Sequence, residues 1–208
     1  MVARARWLLI ALFAVTLPAS ARGDEGVDVA HGLSLRLATG AAYVRESWSP
    51  NDGNPGAVKT GWAPVVEIAV GRALSRDVAV GGILQLTPLF APSESFAGNS
   101  YELTDEVDLV VFAGAFVEDP RLPVIPVRAG IAVGAVTSLL LDQAQDQLQS
   151  RLGIGISPYV GYDRRVSGRW RVGLLARTTF FRNVAGDTPP SATAGGLITS
   201  LLVTFTFR

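Results

Sequence analysis

Residues 195–208 read GGLITSLLVTFTFR, and this stretch decides the fold. Taken every second residue, it separates into an apolar set that ends in aromatic residues and a more polar set. The apolar set is Leu197, Thr199, Leu201, Val203, Phe205 and Phe207. The other set is Ile198, Ser200, Leu202, Thr204, Thr206 and Arg208. A period of two with β-branched and aromatic residues predicts a strand, because successive strand side chains point to opposite faces.

A terminal strand this apolar would be an aggregation-prone edge if it were left unpaired. We therefore expect it to pair with the first strand and to close a barrel whose apolar face meets lipid. Similar alternation recurs along the chain. The expected strands are residues 32–44, 62–72, 78–90, 103–117, 124–137, 152–163, 169–181 and 195–208. The predicted fold is all-β, an eight-stranded antiparallel up-and-down transmembrane β-barrel.

The connections between these strands alternate between long and short. The long ones are residues 45–61, 91–102, 141–151 and 183–194, and the short ones are 74–77, 118–123 and 164–168. Short periplasmic turns and longer outer loops are typical of outer-membrane barrels, and an even strand count leaves both chain ends in the periplasm. Residues 142–148 allow two interpretations, a short helix that forms a small lid or, preferably, an extension of the strands that ends in a polar loop.

This pattern resembles the small eight-stranded outer-membrane barrels of Gram-negative bacteria, the group of OmpX, the OmpA barrel and OmpW. Phe205 and Phe207 match the alternating aromatic residues of that family's last strand, whereas Arg208 occupies the final place, where the family usually has Phe. The resemblance extends along the whole mature chain and contains no specific local motif. It implies a partnership with outer-membrane lipid, with lipopolysaccharide and, during insertion, with the barrel-assembly machinery.

The N-terminus predicts export. Arg4 and Arg6 precede an apolar run at residues 7–17, which is too short for a spanning helix of about 20 residues. The small residues at 19–21 form a cleavage site, so residues 1–21 are predicted to be a cleaved signal peptide. An uncleaved anchor is the alternative. Residues 22–31 are then a periplasmic leader, and residues 32–208 are the barrel domain.

Composition excludes several classes of function. The chain of 208 residues has a formal net charge of +0, so nothing suggests a nucleic-acid partner. It contains no Cys, which excludes disulfides, thiol chemistry and lipoprotein attachment. Charged residues make up only 17%, below the usual quarter. We expect one barrel domain that is monomeric.

The predicted faces place aromatic residues outward at both ends of the strands. The expected outer girdle is Tyr43, Trp62 and Phe180, and the expected periplasmic girdle is Tyr162, Trp170, Phe205 and Phe207. Such rings sit between lipid headgroups and hydrocarbon. The alternative is that aromatic residues simply mark strand ends, as they do in any β protein.

Mid-strand charges fall on the opposite, inward parity, where they avoid a cost of about 2–4 kcal/mol for an outward Arg at mid-membrane. The lumen of an eight-stranded barrel is just wide enough for side chains to fill it. We predict a packed polar plug of Arg36, Glu67, Gln85, Asp108, Arg128, Tyr159 and Arg177. The fourth strand allows two assignments: either Asp108 points inward, or Phe112, Phe116 and Asp108 all point outward, and a bulge would reconcile them.

Catalytic and metal-binding machinery is not evident. His31, the only histidine, precedes the first strand, whereas small outer-membrane acyl-chain enzymes, which resemble this barrel, use a His at the outer rim. The absence of His and Cys from the outer loops argues against Ser–His and Cys catalysis and against zinc. Residues 51–54 look like a plain turn rather than a calcium loop. The acidic residues Glu94, Glu102, Asp105 and Glu106 could bind divalent cations between lipopolysaccharides or simply be solvated. We expect no cofactor.

The predicted role is therefore non-enzymatic: a structural or surface-interaction protein of the outer membrane with a filled lumen. Two alternatives remain open. The barrel could be a narrow conduit for small solutes, which the OmpW-like resemblance allows. It could also be a periplasmic lipid-binding barrel, which would have apolar side chains inside and charges outside.

Overall fold

The computed structural model describes residues 33–50, 56–75, 78–103, 106–119, 127–142, 147–186 and 192–207. The predicted signal peptide, the leader, His31 and the 51–54 turn lie outside these residues. The described chain forms eight long strands and two short ones. They are β1 (Leu33–Pro50), β2 (Ala57–Ala73), β3 (Ala79–Phe90), β4 (Ser93–Phe96), β5 (Asn99–Glu102), β6 (Glu106–Asp119), β7 (Val127–Asp142), β8 (Gln147–Ser167), β9 (Trp170–Gly186) and β10 (Ala192–Phe207). In these residues no helix is long and apolar enough to cross a membrane.

The sheet closes on itself because β1 is paired along both of its edges. One edge pairs with β2, and the other pairs with β10 from Leu35 opposite Phe207 to Pro50 opposite Ala192. Every neighbouring pair of strands is antiparallel. The predicted closed, eight-stranded antiparallel barrel is thereby confirmed, and residues 195–207 pair with the first strand as expected.

The register of the strands fixes the shape of the barrel. Two paths lead from Thr39 across paired residues to β8, one in each direction around the wall. One path runs Thr39, Val66, Leu86, Val111, Thr137, Leu152, and the other runs Thr39, Val203, Leu174, Tyr162. The two paths end ten residues apart on β8, from Leu152 to Tyr162. A stagger of this size tilts the strands by roughly 40° to the barrel axis.

At the end that the sequence predicts to face outward, which we call the outer end, the strands extend further than the sequence predicts. The predicted loop at residues 45–61 is largely strand, since β1 continues to Pro50 and β2 begins at Ala57. β7 reaches Asp142 and β8 begins at Gln147, so the strand-extension interpretation of this region is confirmed and the helical lid is wrong for the described residues. Polar sequence continues in these strands because each has a neighbouring strand to complete its hydrogen bonds.

The prediction of a loop at residues 91–102 is wrong. β4 and β5 form a hairpin, and β4 also pairs with the outer end of β2. Ala97 and Gly98 form its two-residue turn with φ of 50° and 85°. Two consecutive positive φ values are the geometry of a tight hairpin turn, which a sequence of polar residues and Phe96 did not reveal.

One joint of the wall is incomplete. The β2–β3 ladder ends where Val66 lies opposite Leu86. Two residues further on, the same register would place Pro64 opposite Pro88. Neither proline has an N–H to donate, so the ladder cannot continue through this position. Above it, β2 pairs with β4 instead of β3.

The inward and outward faces of β6 follow the first of the two predicted assignments. Asp108, Phe112 and Phe116 are all buried inside, whereas Val117 is outward and 50% exposed. Both ladders of β6 run without a register shift, so no bulge is present there. The register shifts lie instead between β8 and β9, near Leu152 and Arg165.

Candidate functional site: the barrel interior and its outer mouth

The outside of the barrel is an apolar belt bordered by aromatic side chains. Large apolar residues are exposed on every long strand, and Trp62 is 73% exposed. Tyr43 and Trp62 meet edge to face with ring centroids 5.5 Å apart, and Trp170 and Phe207 meet similarly at 5.2 Å. Tyr162 and Phe180 are also exposed, and Phe205 is half-buried. These are the seven residues that the sequence assigns to the two girdles.

The two aromatic pairs are separated by about the height of a bilayer core. Phe207 lies opposite Leu35 on β1, eight residues before Tyr43 on the same strand. Eight residues span roughly 26 Å of strand, which a tilt near 40° reduces to about 20 Å of height. The apolar band of an outer-membrane barrel is about 25 Å tall, so the belt matches a membrane.

Inside, at the height of this belt, lies a group of charged side chains that we call the lumen cluster. Its members are Arg36, Glu67, Glu118, Arg128, Tyr159, Asp163 and Arg177, all of them buried. They come from six strands, β1, β2, β6, β7, β8 and β9. Three arginines face three carboxylates, so the cluster is neutral overall. Buried charges need this kind of internal pairing.

Glu67 is the central carboxylate of the lumen cluster. Its Oε1 accepts a hydrogen bond from Arg36 Nε at 3.2 Å, and its Oε2 lies 2.8 Å from Arg177 Nη1. Arg36 Nη1 also donates to Glu118 Oε2 at 2.9 Å, and the Tyr159 hydroxyl donates to the same oxygen at 2.9 Å. Glu67 is fully buried, so its charge is balanced by these two guanidinium groups rather than by water.

The ring of Tyr159 contacts both arginines that pair with Glu67. The guanidinium carbon of Arg36 lies 5.3 Å from the ring centroid, and that of Arg177 lies 4.7 Å from it. A separate pair completes the cluster: Arg128 Nη1 lies 2.9 Å from Asp163 Oδ2, and Thr204 donates to Asp163 Oδ1 at 3.0 Å. Cation–π contacts of this kind strengthen when water is excluded.

An apolar layer lies above the lumen cluster, at the height of the outer girdle. Its side chains are Val44, Val65, Leu89, Val110, Phe112, Val136, Phe181 and Ile198, all buried. The predicted purely polar plug is therefore incomplete as a description, because the outer half of the lumen is filled by aliphatic and aromatic groups. Side chains this well packed leave few voids as large as a water molecule.

The wall above the outer girdle encloses a second polar group, which we call the mouth cluster. It consists of Glu46, Lys59, Glu106, Asp108 and Ser138. Lys59 Nζ lies 3.0 Å from Glu106 Oε2 and 3.7 Å from Asp108 Oδ2. Ser138 donates to Glu46 Oε1 at 3.1 Å. A cavity of about 240 Å³ opens beside this cluster, and its polar lining includes Glu46, Lys59, Glu94, Glu106, Arg151 and Asn183.

The mouth cluster has more acid than base. The pKa of Glu46 is raised to about 7, first by burial and then by the neighbouring carboxylate of Asp108, against the opposing effect of the Ser138 hydrogen bond. Burial likewise raises the pKa of Asp108, which Lys59 partly offsets. Glu46 is therefore partly protonated near neutral pH. Within the described residues, no group of three or more His, Cys, Asp or Glu side chains could hold a metal ion.

The seven residues predicted for the polar plug are all buried in the interior, but they do not form one group. Arg36, Glu67, Arg128, Tyr159 and Arg177 belong to the lumen cluster. Asp108 lies instead in the mouth cluster beside Lys59. Gln85 donates to Thr87 on its own strand.

Three important side chains were missed from the sequence. Glu118 was assigned to a turn, and Glu46 and Lys59 to a loop, yet all three lie on strands. Their inward parity would have been the signal if the predicted strands had been drawn one to three residues longer. Of the acidic residues near the second outer loop, Glu94 lines the cavity, Glu106 pairs with Lys59, and Glu102 is exposed. Asp105 lies outside the described residues.

The fold is shared with solved outer-membrane proteins. Neisserial surface protein A matches with a TM-score of 0.50 and 15% sequence identity, covering 85% of this chain and 99% of that one. The chain has the small outer-membrane barrel fold. OprG from Pseudomonas aeruginosa also matches this small barrel at a TM-score of 0.50, with 11% identity over 84% of this chain and 96% of that one.

The outer membrane protein AlkL matches the barrel as well, with a TM-score of 0.50 and 15% identity over 93% of this chain and 96% of that one. No protein-family model matches the sequence, and no curated protein matches it significantly. At identities this low, the matches to the small barrel establish the fold alone.

Proposed function

We propose that this protein spans the bacterial outer membrane as a closed, monomeric, non-enzymatic barrel with a structural or surface-interaction role. One observation carries the proposal: the apolar side chains face outward in a belt of bilayer height, while the charges are paired inside. Lipid is the surroundings in which this arrangement has the lowest free energy. A periplasmic lipid-binding barrel would require the reverse arrangement.

The orientation that we propose places both chain ends in the periplasm. The strands that extend beyond the outer girdle carry polar outward side chains such as Ser47 and Ser49, which suit water rather than hydrocarbon. The opposite end has tight connections, for example the turn at Gly168, where φ is 46°. The extended outer wall, with the β4–β5 hairpin, then forms the surface presented to the exterior, among lipid and lipopolysaccharide.

Fractionation of cells that express the full chain tests this proposal. We expect the protein in the outer-membrane fraction and a gel mobility that changes on boiling, because a closed barrel resists detergent until it is heated. Recovery of the folded protein from the soluble periplasm would refute the proposal. Protease added to intact cells should cleave only within the outer connections.

A narrow conduit is a second candidate, favoured by the cavity at the outer mouth. The apolar layer and the lumen cluster oppose it, since both fill the path below the cavity. Conductance of the purified barrel in a planar bilayer distinguishes the two functions. We expect no steady conductance from the natural chain or from Phe112→Ala, because the lumen cluster still fills the path below the apolar layer. Steady single-channel currents from the natural chain would favour the conduit.

A further inference from the structure

Two outward arginines stand just above the outer girdle on either side of β10. Arg45 on β1 lies opposite Leu197 of β10, and Arg182 on β9 lies opposite Gly195 of the same strand. Both arginines are exposed. With strands about 4.8 Å apart and residues about 3.3 Å apart, the two Cα atoms are separated by roughly 12 Å across the wall. Two long side chains can therefore converge on one group between them.

The surface around the two arginines has no compensating negative charge among the described residues. The outward neighbours above the girdle on β1, β2, β9 and β10 are uncharged. They are Ser47, Ser49, Val58, Thr60, Val184, Gly195 and Leu197. Glu46 and Lys59 point to the inside of the barrel. Neither Arg45 nor Arg182 has an ion pair with another described side chain.

Gly195 provides an open floor between the arginines. It lies directly opposite both Ser47 and Arg182, and the Ser47 hydroxyl donates to its carbonyl at 3.4 Å. A Cβ at this position would approach the Phe181 carbonyl oxygen to 2.7 Å, so a larger residue would disturb the wall as well as fill the space. Close approach to the backbone is a common reason for glycine in a strand.

Apolar side chains continue directly below this floor. Leu197 lies opposite Arg45 and Phe180, and exposed Tyr43 is two residues below Arg45 on the same face. From top to bottom, the surface thus offers two cations, a side-chain-free floor and an apolar strip that enters the membrane belt. This order matches the order of groups in an anionic membrane lipid.

We propose that this surface binds the phosphorylated headgroup of an outer-leaflet glycolipid. Arg45 and Arg182 would each donate to the phosphate oxygens, and the acyl chains would lie along Leu197, Phe180 and Tyr43. Arginine suits this role because its planar guanidinium forms paired hydrogen bonds with phosphate. The inference rests on the outer-membrane location proposed above, since it needs the lipid of that membrane as the ligand.

Binding of lipid A to the purified full chain in detergent tests the inference. Native mass spectrometry or fluorescence titration can measure the dissociation constant for the natural chain, for Arg45→Gln, for Arg182→Gln and for the double variant. We expect each single variant to bind lipid A about threefold more weakly and the double variant more than tenfold more weakly, because charge-assisted bonds to phosphate are lost. Dephosphorylated lipid A should bind the natural chain as weakly as phosphorylated lipid A binds the double variant.

Matched controls use arginines at the other end of the wall. Arg72 and Arg164 are also exposed and outward, but they lie at the periplasmic rim. Arg72→Gln with Arg164→Gln should leave lipid A binding unchanged. Heat-modifiable gel migration confirms that each variant is folded.

Three results would overturn the inference. They are unaltered binding in the Arg45→Gln/Arg182→Gln variant, an equal loss in the periplasmic controls, and full displacement of lipid A by inorganic phosphate, which would indicate a site for free phosphate rather than for a lipid. These results are independent of the fractionation experiment. A protein found in the outer membrane whose double variant binds lipid A normally would refute only this inference.

Discussion

The lumen cluster and the mouth cluster contain similar acids and bases at two heights of one barrel. In the lumen cluster, three arginines match three carboxylates. In the mouth cluster, Lys59 serves both Glu106 and Asp108, while Glu46 relies on a neutral hydroxyl and a bound proton. Where lipid surrounds the wall, charge is balanced by pairing. Where the wall rises above the membrane and water can enter, protonation of Glu46 is sufficient to limit the unpaired negative charge.

The largest expected effect comes from Glu67→Gln. This change removes the carboxylate shared by Arg36 and Arg177, so that Arg177 loses its carboxylate partner and Arg36 keeps only Glu118. Breaking a buried ion pair in this way costs about 3–5 kcal/mol. Urea unfolding in detergent micelles should show the loss. Glu94→Gln at the cavity rim is the control and should change stability by less than about 1 kcal/mol. Equal stabilities of the two variants would contradict the distinction between the clusters.

A paired replacement sharpens the same comparison. Arg128→Met or Asp163→Leu alone should destabilise the barrel by about 3 kcal/mol, because each breaks the buried ion pair between these two side chains. Together they remove one positive and one negative charge, so the double variant should be more stable than the sum of the single losses predicts, by roughly 1–3 kcal/mol. Unfolding midpoints of all four proteins complete the cycle. Strict additivity would mean that this pair does not stabilise the lumen cluster.

The number of charges in the lumen cluster was largely predictable, but the pairing was not. Inward parity alone identified Arg36, Glu67, Arg128 and Arg177, because a period of two assigns each residue to a face. Which carboxylate meets which guanidinium depends on the stagger of ten residues around the wall, and this is a property of the register between strands. The sequence of any one strand does not contain that information.

The mouth cluster was missed for a different reason. Within the lipid core, each strand alternates between apolar outward and inward-facing residues, and this alternation marks β1 clearly up to Tyr43. Above that height both faces carry polar side chains, so the alternation that marks a strand weakens while the hydrogen-bonded ladder continues. Glu46 and Lys59 therefore looked like loop residues, although each belongs to a regular strand.

Stability should depend on pH through Glu46. Its pKa of about 7 lies above the value near 4.3 of an unfolded chain, so the folded protein holds a proton that the unfolded chain releases. The contribution to stability is complete below about pH 4 and is lost as the pH rises through 7. Glu46→Gln should remove this loss. At pH 8 the free energy of unfolding of this variant should exceed that of the natural chain by about 1–3 kcal/mol. Urea unfolding of both proteins at pH 5 and pH 8 measures this difference. The same pH dependence of stability in both proteins would contradict the role of Glu46.

The smallest expected effect is that of Lys59→Met. This side chain is partly exposed at the mouth, so its ion pairs with Glu106 and Asp108 contribute only about 0.5–1 kcal/mol. Without the ammonium group, the pKa of Asp108 should rise further, so that more stability is lost as the pH rises. The same urea series checks both effects. A loss as large as that of Glu67→Gln would show that the mouth cluster is as tightly coupled as the lumen cluster.

The joint between β1 and β10 has a consequence for biosynthesis. Strands that are neighbours in sequence can pair early. β1 and β10 are separated by more than a hundred residues, and only their pairing removes the last two free edges of the sheet. Contacts of such long range are slow to form, because the intervening chain must be ordered first. Until then, strands rich in valine and leucine remain exposed. A cell that makes this protein must keep the whole chain from aggregating until these two distant segments pair. Transport of the unfolded chain is therefore as difficult a step as folding.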